Sequence, residues 1–138
     1  MLFEDDVTEA VCAELEQRGW SVRQRLRSTE RGDDIVALRG GTRLIVECKG
    51  ETSSDPRTPR YGARFNASQV NSHVSRAMLR AMRVVSDGHW AGVAFPEERL
   101  HRVEVDKVRL AAQRLGVAVF WVAPSRSVMV ETAAGYNV

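Results

Sequence analysis

The stretch from Gly32 to Glu51, GDDIVALRGGTRLIVECKGE, constrains the fold most, because it has the pattern of a tight β-hairpin. Two short runs rich in β-forming residues, 34–38 and 42–49, flank the pair Gly40-Gly41, which supplies the positive φ angles that a tight hairpin turn needs. The apolar run 44–46 is continuous, which indicates a second strand buried on both faces. The chain is therefore predicted to place this hairpin inside a sheet.

The second strand of this hairpin ends in polar residues. Successive strand residues point to opposite faces, so Glu47 and Lys49 share one face and Cys48 points to the other. Asp34 starts the neighbouring strand and can lie beside them. An acidic and a basic side chain at the end of a core strand, with a second carboxylate nearby, suggest a site rather than a surface.

Two neighbouring carboxylates repel each other unless a cation lies between them. Mg²⁺ removes this conflict, because it takes oxygen ligands, keeps several waters and commonly sits on one or two carboxylates plus a substrate phosphate. The alternative is a surface salt bridge between Glu47 and Lys49. Of the 20 basic residues, 18 are Arg, and only Lys49 and Lys107 are Lys. Lys, unlike Arg, can lose its proton when desolvated, so its use here favours the active-site interpretation.

Asp34, followed after a hairpin by Glu47-x-Lys49, resembles the PD-(D/E)xK nuclease superfamily, and its Holliday-junction resolvase and Mrr-like members most closely. The resemblance covers roughly the first two thirds of the chain and departs from the motif where Asp33 replaces the usual Pro. It implies a restriction endonuclease-like α/β fold, with a central mixed β-sheet flanked by helices. The implied order is an α-β-β-β-α-β core plus a C-terminal α-β-β.

The resemblance also implies roles for individual residues. Asp34 and Glu47 would bind Mg²⁺, which Mn²⁺ could replace, with the backbone carbonyl of Cys48 as a further ligand, and Lys49 would position or activate the attacking water. Members of the superfamily often carry a glutamate on the first helix that reaches toward the metal.

Glu9 matches the position of that glutamate best, by its distance from Gly19-Trp20, whereas the helical wheel favours Glu14 equally. Gln69, in the first turn of the helix after the E-x-K strand, is expected to orient the reactants. We therefore predict Glu9 and Gln69 as additional catalytic residues.

The segment after Lys49 contains two prolines and several turn residues, so we expect a long loop beside the site. The loop and the residues just after it contain four candidate DNA-binding residues, Arg57, Arg60, Tyr61 and Arg64. The arginines suit a phosphate backbone, and the tyrosine could stack on a base. A solvated loop without this role is the alternative.

Composition limits the remaining possibilities. With 138 residues, 43% hydrophobic and 28% charged, the chain is predicted to form one domain, 1–138, of a globular protein. No apolar run approaches the ~20 residues that span a bilayer, and the acidic N-terminus is unlike a signal peptide, so we expect a cytoplasmic protein. Cys12 and Cys48 lie among apolar residues and are expected to be packed thiols.

Hydrophobic periodicity predicts the other elements of the sheet and its helices. We expect helices from Asp5 or Asp6 to about Arg18, from Asn66 or Ser68 to about Ser86, and over 105–115, with a short irregular or helical turn over 97–104. The expected strands outside the hairpin are 20–26, 89–95, 117–122 and 127–131. A frayed tail is expected from Gly135.

The sequence thus predicts a Mg²⁺-dependent endonuclease that hydrolyses DNA phosphodiester bonds, either selective for DNA structure or part of a repair, restriction or defence system with partner proteins. Cutting two strands takes two sites, which favours a homodimer, and the strand near the C-terminus could provide its interface. The alternative is a non-catalytic nucleic-acid-binding or assembly module that retains the nuclease fold.

Overall fold

The computed structural model describes all residues, 1–138, and contains one six-stranded sheet with helices on both faces. The elements are α1 Glu4–Gln17, β1 Ser21–Arg25, β2 Ile35–Arg39, β3 Thr42–Cys48, α2 Ala67–Ser86, β4 Trp90–Pro96, α3 Arg99–Asp106, α4 Arg109–Leu115, β5 Ala118–Val122 and β6 Val128–Glu131. This order confirms the predicted α/β class with a central mixed sheet. None of the helices has the length and apolar character needed to cross a membrane.

The six strands lie side by side in the order in which they occur in the chain. β1, β2 and β3 form an antiparallel meander. β4 and β5 then add in parallel, after crossovers through helices, and β6 returns antiparallel at the edge. Parallel neighbours require such crossovers, so the position of β3 in the centre follows from the hairpin and the long helix that comes after it.

Two hydrophobic cores lie on opposite faces of this sheet. The first packs α1 against the sheet and includes Leu15, Leu44 and Phe120. The second packs α2 and the shorter helices against the other face and includes Ile45 and Trp121. Leu44 and Ile45 are neighbours that belong to different cores, so β3 is buried on both faces, as its continuous apolar run predicts.

The C-terminal part differs from prediction in two places. A helix begins at Arg99 rather than Val105, because the Glu98 side chain accepts hydrogen bonds from the backbone N–H groups of Leu100 and His101 and caps it. Glutamate is an uncommon cap, and sequence patterns give it little weight. This helix ends at Asp106, and a separate helix, α4, follows before Gly116.

The residues after Gly135 are packed rather than frayed. The Tyr136 ring lies 5.2 Å from that of Trp90, centroid to centroid, and the backbone carbonyl of Val138 accepts a hydrogen bond from Arg18 at 2.9 Å. Gly116 leaves room for this tail, since a Cβ there would lie 2.3 Å from the Tyr136 ring. The predicted frayed tail is therefore wrong, because aromatic packing compensates for the cost of ordering it.

Candidate active site

The hairpin register places the two predicted metal-binding carboxylates side by side. Ile35 pairs with Val46, and one step further along both strands Asp34 lies opposite Glu47. Side chains directly opposite in an antiparallel pair have Cβ atoms about 4.5–5.5 Å apart. Ile45 belongs to the second core, and alternate residues of a strand point to the same face. Glu47 and Lys49 therefore lie on the α2 side of the sheet.

Asp34 is buried, with 7% of its surface exposed, and one oxygen accepts a hydrogen bond from the Cys48 backbone N–H at 2.8 Å. Burial raises the pKa of Asp34 to about 7, because desolvation penalises the charged form. The hydrogen bond and the Lys49 charge lower this pKa, whereas the carboxylates of Glu47 and Glu4 raise it further. Asp34 thus belongs to a locally acidic group that contains one cation.

Lys49 is that cation. Its backbone N–H donates to the carbonyl of Ala94 at 3.0 Å, which ties the residue to β4 just beyond the end of β3. Its Nζ lies 3.5 Å from the Glu47 carboxylate, and both side chains are about one-fifth exposed. The ion pair between Glu47 and Lys49 that the salt-bridge alternative requires is therefore present. It lies at the mouth of a cleft, near two further charged side chains, Asp34 and Glu4.

Glu4 is a fourth charged residue near Asp34, Glu47 and Lys49, and it was not predicted from the sequence. Burial raises its pKa, Lys49 lowers it, and Glu47 raises it, so its carboxylate lies within the field of the same charges. Gly50 permits this approach, since a Cβ at Gly50 would lie 2.5 Å from the Glu4 backbone nitrogen. We refer to Glu4, Asp34, Glu47 and Lys49 as the strand-end cluster. The sequence signal for Glu4 is the glycine directly after Lys49, whose contact with the start of α1 only the fold reveals.

The structure does not bring Glu9 to this cluster, which corrects the prediction. The Glu9 side chain is 64% exposed and pairs with Arg25 at 3.3 Å. Glu14, the other candidate, pairs with Arg18 one helical turn away at 2.9 Å. Both carboxylates lie further along α1 than Glu4, whose backbone packs against Gly50 directly after the end of β3.

Gln69 has a structural role here. Its side-chain oxygen accepts a hydrogen bond from the Asn66 backbone N–H at 2.8 Å, while the Asn66 side chain accepts from the Gln69 N–H at 2.9 Å. This reciprocal arrangement is a capping box, and it holds Gln69 at the helix start. His73 and Arg76, on the following turns, face the site instead. The helix prediction was right, but the capping box competes for the predicted catalytic side chain.

A polar cleft of about 690 Å³ opens beside the strand-end cluster. We call it the main cleft. Glu4 and Lys49 lie on its wall with hydroxyl groups from two loops, the cationic residues Arg57 and Arg76, and a single hydrophobic side chain, Phe65. The hydroxyl-bearing residues are Ser28, Thr29, Thr52, Ser53 and Ser54. Such a lining suits a phosphate and sugar backbone better than an apolar ligand.

The four predicted DNA-binding residues occupy different positions on the loop and just after it. Arg57 lines the main cleft, but its guanidinium makes two bonds of 2.9 Å to Asp55. Arg60 lines a neighbouring cleft, and Arg64 is exposed next to the base of the loop. Tyr61 is 49% exposed, and its ring lies 5.7 Å from that of Phe3. The loop therefore offers Arg60, Arg64 and one exposed aromatic ring, while Arg57 is already paired.

The two adjacent aspartates have separate partners. Asp33 forms an ion pair with Arg80 of α2. The Asp34 carboxylate accepts a hydrogen bond from the Cys48 amide and forms no ion pair. The thiols of Cys48 and Cys12 are both buried and unbonded to each other, as predicted, and burial raises the pKa of the Cys48 thiol well above its usual range.

The donor set at the cluster fits a hard cation that needs few protein ligands. No group of three or more His, Cys, Asp and Glu side chains is arranged to hold a metal ion. Mg²⁺ commonly takes only one or two carboxylates and retains its waters. Asp34 and Glu47, opposite each other and short of positive charge, meet that requirement, and the Cys48 carbonyl remains a predicted third ligand.

No protein-family model matches the chain, and no curated protein matches it. Among solved structures, the chain is similar to Pyrococcus furiosus SfsA in complex with Ca²⁺, with 15% sequence identity and a TM-score of 0.42. The match covers 98% of this chain and 62% of that one, so the chain spans less than two thirds of the matched protein. A similarity of this size assigns neither a family nor an activity.

Proposed function

We propose that the chain is a Mg²⁺-dependent endonuclease of the PD-(D/E)xK type that hydrolyses phosphodiester bonds in DNA. The observation that carries the proposal is the strand-end cluster itself. Asp34 and Glu47 lie opposite each other where β2 begins and β3 ends, with Lys49 3.5 Å from Glu47 and on the wall of a polar cleft. Asp34, Glu47 and Lys49 stand at three positions of the motif, whose proline position is Asp33 here, and Glu4 adds a third carboxylate near them.

Asp34, Glu47 and the Cys48 carbonyl would hold the Mg²⁺ or Mn²⁺ ion. When bound, such an ion acidifies water and stabilises charge on a phosphate. This arrangement lowers the stability of the fold, because a buried aspartate lies near two other carboxylates. A carboxylate crowded in this way is destabilising in a protein that gains nothing from it.

The chain's own residues have distinct tasks in this proposal. Glu47 holds the Lys49 ammonium at the mouth of the main cleft, where it can orient the attacking water or meet the phosphate as a compact charge. Glu4, which lines the same cleft as Lys49, adds a carboxylate from α1 in place of the predicted Glu9. Arg76, which lines the cleft, is placed to contact the DNA backbone.

A homodimer and partner proteins remain part of the proposal rather than of the structure. β6 is an edge strand, with Met129 48% exposed, and an unpaired edge can add a strand from a second copy. Such an interface would supply the two sites that cutting both strands requires.

The test is nicking of supercoiled plasmid and of a labelled branched DNA, with Mg²⁺ or Mn²⁺, by the wild type, Lys49→Ala and Lys107→Ala. The chain offers a matched control, since Lys107 is the one other lysine and pairs with Glu104 on the surface at 3.0 Å. We expect metal-dependent cutting that falls at least about a hundredfold in Lys49→Ala, the range for a group that orients or accepts a proton. Lys107→Ala should cut like the wild type.

Equal loss in both lysine variants would show that lowered charge, rather than the site, is responsible. Absence of cutting by the wild type on either DNA, with binding of DNA retained in a chelator, would overturn the enzyme proposal. That result would favour the non-catalytic nucleic-acid-binding module.

A further inference from the structure

A second cleft, of about 480 Å³, continues from the main cleft. We call it the side cleft. Both clefts are lined by Ser53, Phe65 and His73, so they meet at these three residues. The main cleft extends from this junction to Lys49, and the side cleft extends to Arg60. Together they form one groove between the 52–64 loop and α2, which starts at the strand-end cluster.

The 52–64 loop is closed at its base, which fixes the wall of this groove. The Phe65 backbone N–H donates to the Glu51 carbonyl at 2.9 Å, and the Thr52 hydroxyl donates to the Ala63 carbonyl at 2.8 Å. Across the loop, the Thr58 and Ser53 hydroxyls are 3.0 Å apart. Compact loops whose ends meet and whose interior is tied by their own side chains are frequently functional.

The junction of the two clefts carries a π surface. The rings of Phe65 and His73 lie 4.4 Å apart, centroid to centroid, at nearly a right angle. His73 Nδ1 is buried without a hydrogen-bond partner, and burial, then the charges of Lys49, His101 and Arg76, lower the pKa of His73 to about 4. The imidazole is therefore neutral near pH 7 and adds no charge of its own to the groove.

Cationic side chains lie at both ends of the groove and beside its exit. Arg76 in the main cleft, Arg60 in the side cleft and Arg64 nearby have no carboxylate partner. Two acidic residues line the groove: Asp55, which is neutralised by Arg57, and Glu4 of the strand-end cluster, beside Lys49. Cations that follow a path, with an aromatic ring between them, are the pattern of proteins that bind single strands by phosphate contacts and base stacking.

We propose that this groove takes a single-stranded nucleic acid, whose backbone runs from Lys49 to Arg60 while a base stacks at the Phe65–His73 junction. The inference rests on the proposed nuclease function, since it places the scissile strand at Lys49. Each cleft has the volume of a pocket for one small ligand. A duplex is stiff, with a persistence length of about 50 nm, and keeps its bases paired and stacked, so it cannot place a base at the Phe65–His73 junction, whereas a single strand can. The substrate class is thus a single strand, or a flap or frayed end.

The test measures binding without cleavage. Fluorescence anisotropy in EDTA would compare a fluorescein-labelled oligothymidylate of about 20 nucleotides with the same strand in a blunt duplex. We expect the single strand to bind at least about tenfold more tightly than the duplex. Phe65→Leu keeps the apolar contact with the second core but removes the ring, and should weaken single-strand binding about tenfold, whereas Phe65→Tyr should bind within about twofold of the wild type.

Arg60→Ala should also weaken binding and reduce its salt dependence, because it removes a phosphate contact. Arg114→Ala is the matched control, since Arg114 is exposed on α4, away from the groove, and has no ion-pair partner. Thermal melting by circular dichroism would verify that each variant is folded. If Phe65→Leu is unfolded, the Arg60→Ala and Arg114→Ala pair still decides the question.

Three results would overturn the inference: duplex binding as tight as single-strand binding, unchanged binding in Phe65→Leu and Arg60→Ala, or no binding of either DNA at low salt. These outcomes are separate from those of the nicking assay. A protein that cuts only continuous duplex retains the proposed function and loses this inference. A protein that binds single strands but never cuts retains the inference and loses the proposed function.

Discussion

Two regions of the sheet gather charged side chains at the ends of strands, and they differ in how those charges are balanced. At the end of β5 and β6, Glu131 accepts hydrogen bonds from Arg102, from Arg109 and from the Trp121 indole N–H. Where β2 begins and β3 ends, the strand-end cluster has three carboxylates and one lysine, which pairs with Glu47 alone. The Glu131 and Glu47 side chains are similarly exposed, 27% and 21%.

Glu131 and Glu47 are therefore similarly buried, but the charges around them are balanced differently. Glu131 has a charge partner on each oxygen, and Arg102 also lies over the Trp121 ring, 4.1 Å from its centroid. Asp34 has one amide donor and two acidic neighbours. A balanced group stabilises the fold, whereas an acidic excess that the fold leaves in place indicates a position where a cation is to be added. The balance of charge partners, rather than burial, separates the C-terminal region from the proposed active site.

Asp34→Asn tests this contrast with the largest expected effect. Asn keeps an oxygen to accept the Cys48 N–H and removes the charge. Because the pKa of Asp34 is raised from 3.8 to about 7, the folded wild type binds more protons than the unfolded chain between these values, so its stability falls as pH rises through that window. We expect the variant to be more stable than the wild type by about 4 kcal/mol at pH 8, and similar to it at pH 4.

Urea denaturation at several pH values would measure this difference in stability. Repeating the series with Mg²⁺ adds a second comparison between the wild type and Asp34→Asn. Bound only by the folded state, Mg²⁺ should raise the unfolding free energy of the wild type and leave that of Asp34→Asn unchanged. Asp33→Asn is the control, since it breaks the Arg80 ion pair and should be slightly destabilising at pH 8. A destabilised Asp34→Asn at pH 8 would contradict the contrast between the two regions.

Glu131→Gln should have the opposite sign and a smaller size. The amide cannot match the charges of Arg102 and Arg109, so we expect a loss of about 1–2 kcal/mol of unfolding free energy near pH 7. Chemical denaturation with and without Mg²⁺ would measure it, and the metal should change nothing. A variant as stable as the wild type would show that the C-terminal network contributes no net stability.

The sequence could predict the part of the site that local geometry determines. Asp34, Glu47 and Lys49 come together because a two-glycine turn fixes the register of one hairpin, and strand alternation then fixes the face. The same reasoning predicted the α/β class, the long second helix and its start near Asn66. These features depend on neighbours within a few residues along the chain.

What the sequence could not predict depends on contacts between distant segments. Glu4 reaches the cluster only because Gly50 lets the start of α1 pass against the end of β3. The position of Gln69 was compatible with a catalytic role and with a helix cap, and its side chain forms the capping box. His73 borders both clefts because the 52–64 loop folds back onto α2. The surroundings of Glu4 and His73 are thus supplied by another segment, whereas Gln69 is held by Asn66, three residues earlier.

Glu4→Gln against Glu9→Gln gives the smallest expected effect and tests which glutamate of α1 belongs to the site. Both changes remove one negative charge from the same helix, so their effects on net charge are identical. Glu4→Gln acts within the field of Asp34, Glu47 and Lys49, and should lower the rate of metal-dependent cutting about fivefold to tenfold, or roughly 1 kcal/mol. Glu9→Gln breaks only an exposed pair with Arg25 and should leave that rate unchanged.

The plasmid nicking assay, run over a range of Mg²⁺ concentrations, would measure both variants. A shift of the half-maximal Mg²⁺ concentration in Glu4→Gln would show that the carboxylate contributes to cation binding, whereas a change in the maximal rate alone would show that it acts on Lys49. A loss in Glu9→Gln that exceeds the loss in Glu4→Gln would mean that α1 rotates or shifts when DNA binds. The carboxylates of the site at the end of β3 would then be Asp34 and Glu47, without Glu4.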